Sequence, residues 1–112
     1  MANIYKNAKL DLTVATAVTL YTCPENSRAI LKSLYISDDS GSGSTITIKL
    51  FNGNPATADS FSLYNTKTVA ADDTEQLILE PLIMQENEVI QVTAADANRL
   101  HVILSILEIN RE

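Results

Sequence analysis

Apolar and polar residues alternate through most of this chain, and that period of two limits what it can fold into. In STITIKLF, Ser44 to Phe51, Ile46, Ile48 and Leu50 share one side while Thr45, Thr47 and Lys49 share the other. Successive side chains of a strand point to opposite faces, so this stretch reads as a half-buried strand rich in β-branched residues. SFSLY repeats the pattern with Phe61 and Leu63, and EVIQVTA, Glu88 to Ala94, repeats it with Ile90 and Val92. The last run, RLHVILSILEI, Arg99 to Ile109, puts Leu100, Val102, Leu104 and Ile106 on one face. Ile103, Leu107 and Ile109 add apolar groups to its other face, which predicts a strand covered on both sides.

Turn residues separate these runs. LYTCPENSRAILKSLYI, Leu20 to Ile36, is apolar, breaks at Pro24, Glu25, Asn26 and Ser27, and is apolar again. Proline cannot donate to a ladder, so Thr16 to Thr22 and Arg28 to Ser37 read as the two strands of a hairpin. Ile30, Leu34 and Ile36 would share a face there, and Tyr21 and Tyr35 would pair across it. DDSGSGS, Asp38 to Ser44, is a connection in which Gly41 and Gly43 permit positive φ. Further turns fall at Asn52 to Ala58 and Met84 to Glu88, and Glu80-Pro81 closes a strand over Gln76 to Glu80. A short helix is expected around Ala70 to Glu75.

The fold class that follows is all-β: an antiparallel two-layer sandwich or jelly roll of about eight strands. The chain of 112 residues is long enough for one domain. Residues 1–10 are polar and lack a clear period, so they read as an extended N-terminal arm beside a sandwich domain over residues 11–112.

Charge narrows the partners. The net charge is −6, and residues 51–112 hold ten acidic against three basic side chains. Duplex nucleic acid demands clustered lysine and arginine, so no nucleic-acid partner is expected. No stretch approaches the roughly 20 apolar residues of a membrane helix. The opening MANIYKNAK carries no apolar signal core, and Cys23 is the only cysteine, so the expectation is synthesis in a reducing cytoplasm with no internal disulfide.

Little of the sequence points to catalysis. His101 is the only histidine and lies within a strand, where an interface role is the simpler reading. Cys23 precedes a proline in a turn, and no second cysteine or histidine stands at zinc-ligand spacing. Asp38 with Asp39, and Asp72 with Asp73, are acidic loop pairs that would hold a cation only weakly. Glycine-rich phosphate loops and nucleophile elbows are absent, so neither an enzyme nor a cofactor is expected.

The stretch LYTCPENSRAILKSLYISDDSGSGSTITIKLF resembles a pattern of tailed-bacteriophage virion structural proteins: a strand ending Thr-x-Pro, a polar turn, an apolar strand, a serine-rich loop and a threonine-alternating strand. LEPLIMQENEVIQVTAADANRLHVILSILEI resembles the close of the same pattern, so the likeness runs from Leu10 to Ile109. Two positions depart from it. Asn87-Glu88 stands for the usual Gly-Asp, and Pro24-Glu25-Asn26-Ser27 stands for Pro-Ala-Gly-Lys. The resemblance implies a β-sandwich and a head decoration (cement) protein that binds and stabilises the capsid lattice, assembled in the host cytoplasm and carried on the virion. Its partners would be the major capsid protein or other virion proteins, with a homotrimer favoured. A tail, neck or fibre-attachment accessory is the alternative, and a glycan-binding sandwich is a second one. The residues expected at the interface are Ile4, Tyr5, Lys6, Arg28, Lys32, His101, Ile103, Leu107 and Ile109.

Overall fold

The computed structural model describes residues 2–78 and 81–110. These form nine strands and no helix: β1 (Ala2–Asp11), β2 (Val18–Thr22), β3 (Ser27–Asp38), β4 (Ser44–Phe51), β5 (Ser60–Val69), β6 (Thr74–Ile78), β7 (Leu82–Met84), β8 (Val89–Ala94) and β9 (Leu100–Asn110). Two antiparallel sheets result. The first runs β1-β9-β3-β6, with β7 also paired to β3; the second runs β2-β8-β4-β5.

The inner faces follow the alternation. Leu34, Ile36, Val102, Leu104 and Ile106 of the first sheet meet Leu20, Ile46, Ile48, Ile90 and Val92 of the second in one continuous buried core. Burying such side chains is the main driving force for a domain of this size.

Three expectations are corrected by the topology. The stretch Leu20 to Ile36 is not a hairpin. β2 pairs with β8 in the second sheet, whereas β3 pairs with β9 in the first, so the chain crosses between layers at Cys23 to Asn26. Asn26 takes φ 63° in that crossing, a conformation asparagine tolerates better than most residues. Tyr21 and Tyr35 therefore lie in different sheets and do not pair. Ala70 to Asp73 is a turn, closed by the Asp73 amide donating to the Ala70 carbonyl at 3.2 Å, with Asp72 at φ 59°. No helix forms there, because the chain must change layers within these four residues to enter β6. Of the strand expected over Gln76 to Glu80, residues 79 and 80 lie outside the described residues.

The N-terminal segment is extended, but it is laid along β9. All ten residues from Ala2 to Asp11 pair with β9 in unbroken register, from Ala2 opposite Asn110 to Asp11 opposite His101. The boundary expected after residue 10 falls inside this strand. Its side chains from Asn3 to Asn7 are exposed, and Ala8 and Leu10 pack partly against the core.

Candidate interaction surface

The register of the first sheet determines which side chains stand together on its outer face. Directly opposite residues share a face. Tyr5 is opposite Leu107, Leu107 is opposite Ile30, and Ile30 is opposite Ile83. Four strands thus place an apolar row across the outside of the sandwich. Tyr5 is 78% exposed and Ile83 59% exposed. Beside it on one side runs the row Asn3, Ile109 and Arg28; on the other, the polar row Asn7, Ser105 and Ser33 separates it from a row of Lys9, Ile103, Tyr35 and Gln76. Single exposed apolar residues are ordinary, but a row of them across four strands is the kind of patch that interaction sites present.

Most of the expected interface residues meet here. Tyr5, Arg28, His101, Ile103, Leu107 and Ile109 are on this outer face. The outside of β9, expected to be covered, lies open within the chain, since Ile103 is 42% exposed. Lys32 is exposed at a bulge where the β3–β9 register jumps between Leu31 and Ser33. Ile4 and Lys6 are on the opposite, inner side of β1, facing Glu108 and Ile106.

Ile30 and Ile83 line this face outside the expected interface set, and Tyr35 stands on it opposite Ile103. Ile30 was grouped with Leu34 and Ile36, but the bulge at Lys32 inserts one residue and inverts the alternation. Ala29, Leu31, Leu34 and Ile36 consequently point inward, and Ile30 points out.

Behind this face lies a polar network that the alternation did not reveal. Glu108 continues the inward side of β9 and is 4% exposed. Tyr21 Oη, from the other sheet, donates to Glu108 Oε2, and Lys6 Nζ donates to the same oxygen at 3.1 Å. The Lys6 ammonium also stands 5.6 Å from the centre of the Tyr21 ring. Burial by itself would raise the Glu108 pKa; the Tyr21 hydroxyl and the Lys6 ammonium outweigh it and hold the carboxyl below its ordinary value. Burial, and then the same hydrogen bond to Glu108, pushes the Tyr21 phenol far up.

At the far end of β9, His101 Nε2 stands 3.2 Å from Asp11 Oδ1 and 3.3 Å from Asp39 Oδ2. That joins the end of β1 to the loop after β3. Asp38 serves the same loop differently. Its Oδ1 accepts from the Ser40 hydroxyl at 2.6 Å and the Ser40 amide at 3.1 Å. Its Oδ2 accepts from the amides of Asp72 at 2.9 Å and Gly43 at 3.0 Å. The Ser40 hydroxyl, with the amides behind it, holds this carboxyl well below the usual range. Both Asp38 oxygens are therefore occupied by the protein's own donors, and Asp39 is turned to His101, so the pair is not arranged around a cation. Asp72 contributes its backbone to Asp38, and Asp73 Oδ1 accepts from the Thr74 amide at 2.9 Å.

Cys23 is fully buried, with Sγ 3.5 Å from the Ser27 carbonyl. Burial, followed by the charges of Glu108, Glu88 and Glu86, pushes its thiol up to about 11. β3 and β9 run antiparallel with Ser27 opposite Asn110, so Cys23 lies at the end away from His101. The run from His101 to Asn110 spans about 30 Å. Tyr64 is part of β5 and donates its hydroxyl to the Leu77 carbonyl. On the second sheet, Ala17, Thr47, Lys49, Phe51, Asn65, Gln91 and Thr93 line a shallow depression of about 350 Å³.

No protein-family model matches the chain, and no curated protein sequence does. Solved structures do. A Bacillus endospore appendage protein, from a family of disulfide-linked pili, is similar at a TM-score of 0.56 and 16% identity, over 98% of this chain and 89% of that one. A chain of the T13 particle of infectious bursal disease virus is similar at 0.57 and 9% identity, over 98% of this chain and 31% of that one. The particle of the Gx strain of the same virus gives 0.54 and 10%, over 95% of this chain and 28% of that one. This chain thus spans under a third of the viral chains and most of the pilus protein. At such identities the common property is the fold: a two-layer β architecture that recurs in proteins built into particles and filaments.

Proposed function

We propose that this chain is a non-enzymatic structural protein of a virus particle, specifically a head decoration protein of a tailed bacteriophage. It would bind the capsid lattice through the outer face of the sheet that carries β9. The observation that carries this reading is the apolar row Tyr5–Leu107–Ile30–Ile83, open to solvent across four strands. Support of a weaker kind comes from the fold it shares with chains of virus particles, because fold alone does not establish function. Physically, many copies each burying a modest apolar face would hold neighbouring shell subunits together through repetition on the lattice.

The test is copy number in particles purified from a phage that encodes this chain. Decoration predicts hundreds of copies on a stained gel, whereas a tail or neck accessory predicts about six to eighteen, as closed rotational symmetry implies. The exposed-site substitution Ile83→Lys should leave the isolated protein folded and reduce its incorporation. Absence from particles, combined with binding to a glycan array, would overturn the reading in favour of the depression on the second sheet.

A further inference from the structure

The two sheets have four edges, and one differs from the rest. Exposed edges invite pairing, so proteins usually keep them short, bulged or interrupted. β2 is five residues long with a register shift between Thr19 and Tyr21. β5 carries two register shifts against β4 and a positive φ at Thr66. The fourth edge is divided between the short strands β6 and β7, with Pro81 before the latter. β1 is neither short, bulged nor interrupted, and its one inward-pointing charge, Lys6, is held on Glu108. Its ten residues pair with β9 without a shift, and neither proline nor glycine interrupts them.

The sequence of β1 is also complementary to itself. In an antiparallel pair about a two-fold axis normal to the sheet, each residue faces one on the same side, so only registers with even index sums are allowed. Centring the axis on Asn7 sets Ile4 opposite Leu10 on the inner side. On the outer side it sets Tyr5 opposite Lys9, and Asn3 opposite Asp11. Apolar meets apolar, an ammonium meets an aromatic ring, and an amide meets a carboxylate. Centring it on Lys6 would put that lysine directly opposite its own mate, where like charges repel. Centring it on Ala8 would set Lys6 against Leu10 and shorten the overlap. The Asn7 register alone of these three both keeps the lysines away from each other and from Leu10 and uses the whole of Asn3 through Asp11.

We infer that β1 is an interaction edge for a second copy of this chain, joined antiparallel about Asn7 to form a two-fold dimer with one continuous sheet. A closed two-fold contact of this kind replaces the expected trimer. It shares Tyr5 with the proposed docking face but not Ile83, so Ile83→Lys distinguishes the dimer from docking on a capsid.

Cysteine cross-linking of the full chain tests it, because Cys23 is buried and stays silent. Under a copper(II) oxidant, the Asn7→Cys variant should form a disulfide-linked dimer. The Lys9→Cys variant should not, since the two substituted positions would lie about 13 Å apart along the strands. Sedimentation should show a dimer for the unsubstituted chain and for Ile83→Lys. Tyr5→Lys, which faces the partner's Lys9, should weaken the dimer about tenfold or more, whereas Tyr5→Glu should keep it. A monomer or trimer in sedimentation, or equal cross-linking at positions 7 and 9, would overturn the inference.

Discussion

Glu108 shows what one inward side chain can do at the end of an apolar face. The alternation of β9 delivers it to the interior, where its carboxylate ties β1 through Lys6 and the opposite sheet through Tyr21. Its folded pKa is depressed, so its contribution is present above the unfolded value of about 4 and is lost as pH falls through the folded one. Asp38 acts in the same direction at the other end. Stability should therefore decline on acidification below about pH 4. In the Glu108→Gln variant, urea titrations from pH 7 to pH 2 should show a loss of about 1 to 2 kcal/mol at neutrality and a flatter acid limb. Gly43 is constrained by both conformation and space. Its φ is 73°, and an added Cβ would lie 2.9 Å from the Val69 carbonyl oxygen. Gly41 has a similar φ of 78°, but its nearest neighbour would be Asp72 Oδ1 at 3.7 Å. Gly43→Ala should thus cost about 2 to 3 kcal/mol and Gly41→Ala about 1, a difference visible in melting temperature.

At the scale of elements, β1 is the informative case. Its polar composition hid its role, because an edge strand with one open side buries little and needs only a partner's backbone. Alternation reads burial, and β1 is held instead by its ladder to β9, by Lys6 on Glu108 and by Asp11 beside His101. Removing residues 1–9 should lower the melting temperature by about 5 to 10 °C, equivalent to ~1 to 2 kcal/mol, as followed by circular dichroism. An unchanged melting temperature would mean that the strand is dispensable to the domain. The crossing at Pro24 carries a related lesson. A proline and three polar residues end a strand equally well whether the chain returns in the same sheet or passes to the other, so the turn was legible and the hairpin was not.

For the molecule as a whole, local patterning was enough to read the all-β class, the inward faces of β4, β8 and β9, and the loops between them. Each rests on local physics: the two-residue period of a strand, β-branched propensity, and the backbone limits of proline and glycine. It also located part of the candidate surface, since Ile103, Leu107 and Ile109 are surplus apolar groups on a strand whose other face already fills a core. Tertiary structure alone decided that Tyr5, Ile30 and Ile83 line up with Leu107, that Tyr21 reaches Glu108, and that β2 and β3 lie in different layers. Those outcomes depend on which strands pair and in what register. A single bulge at Lys32 is enough to turn a side chain from the core to the surface, because register is an agreement between distant segments that no single segment encodes.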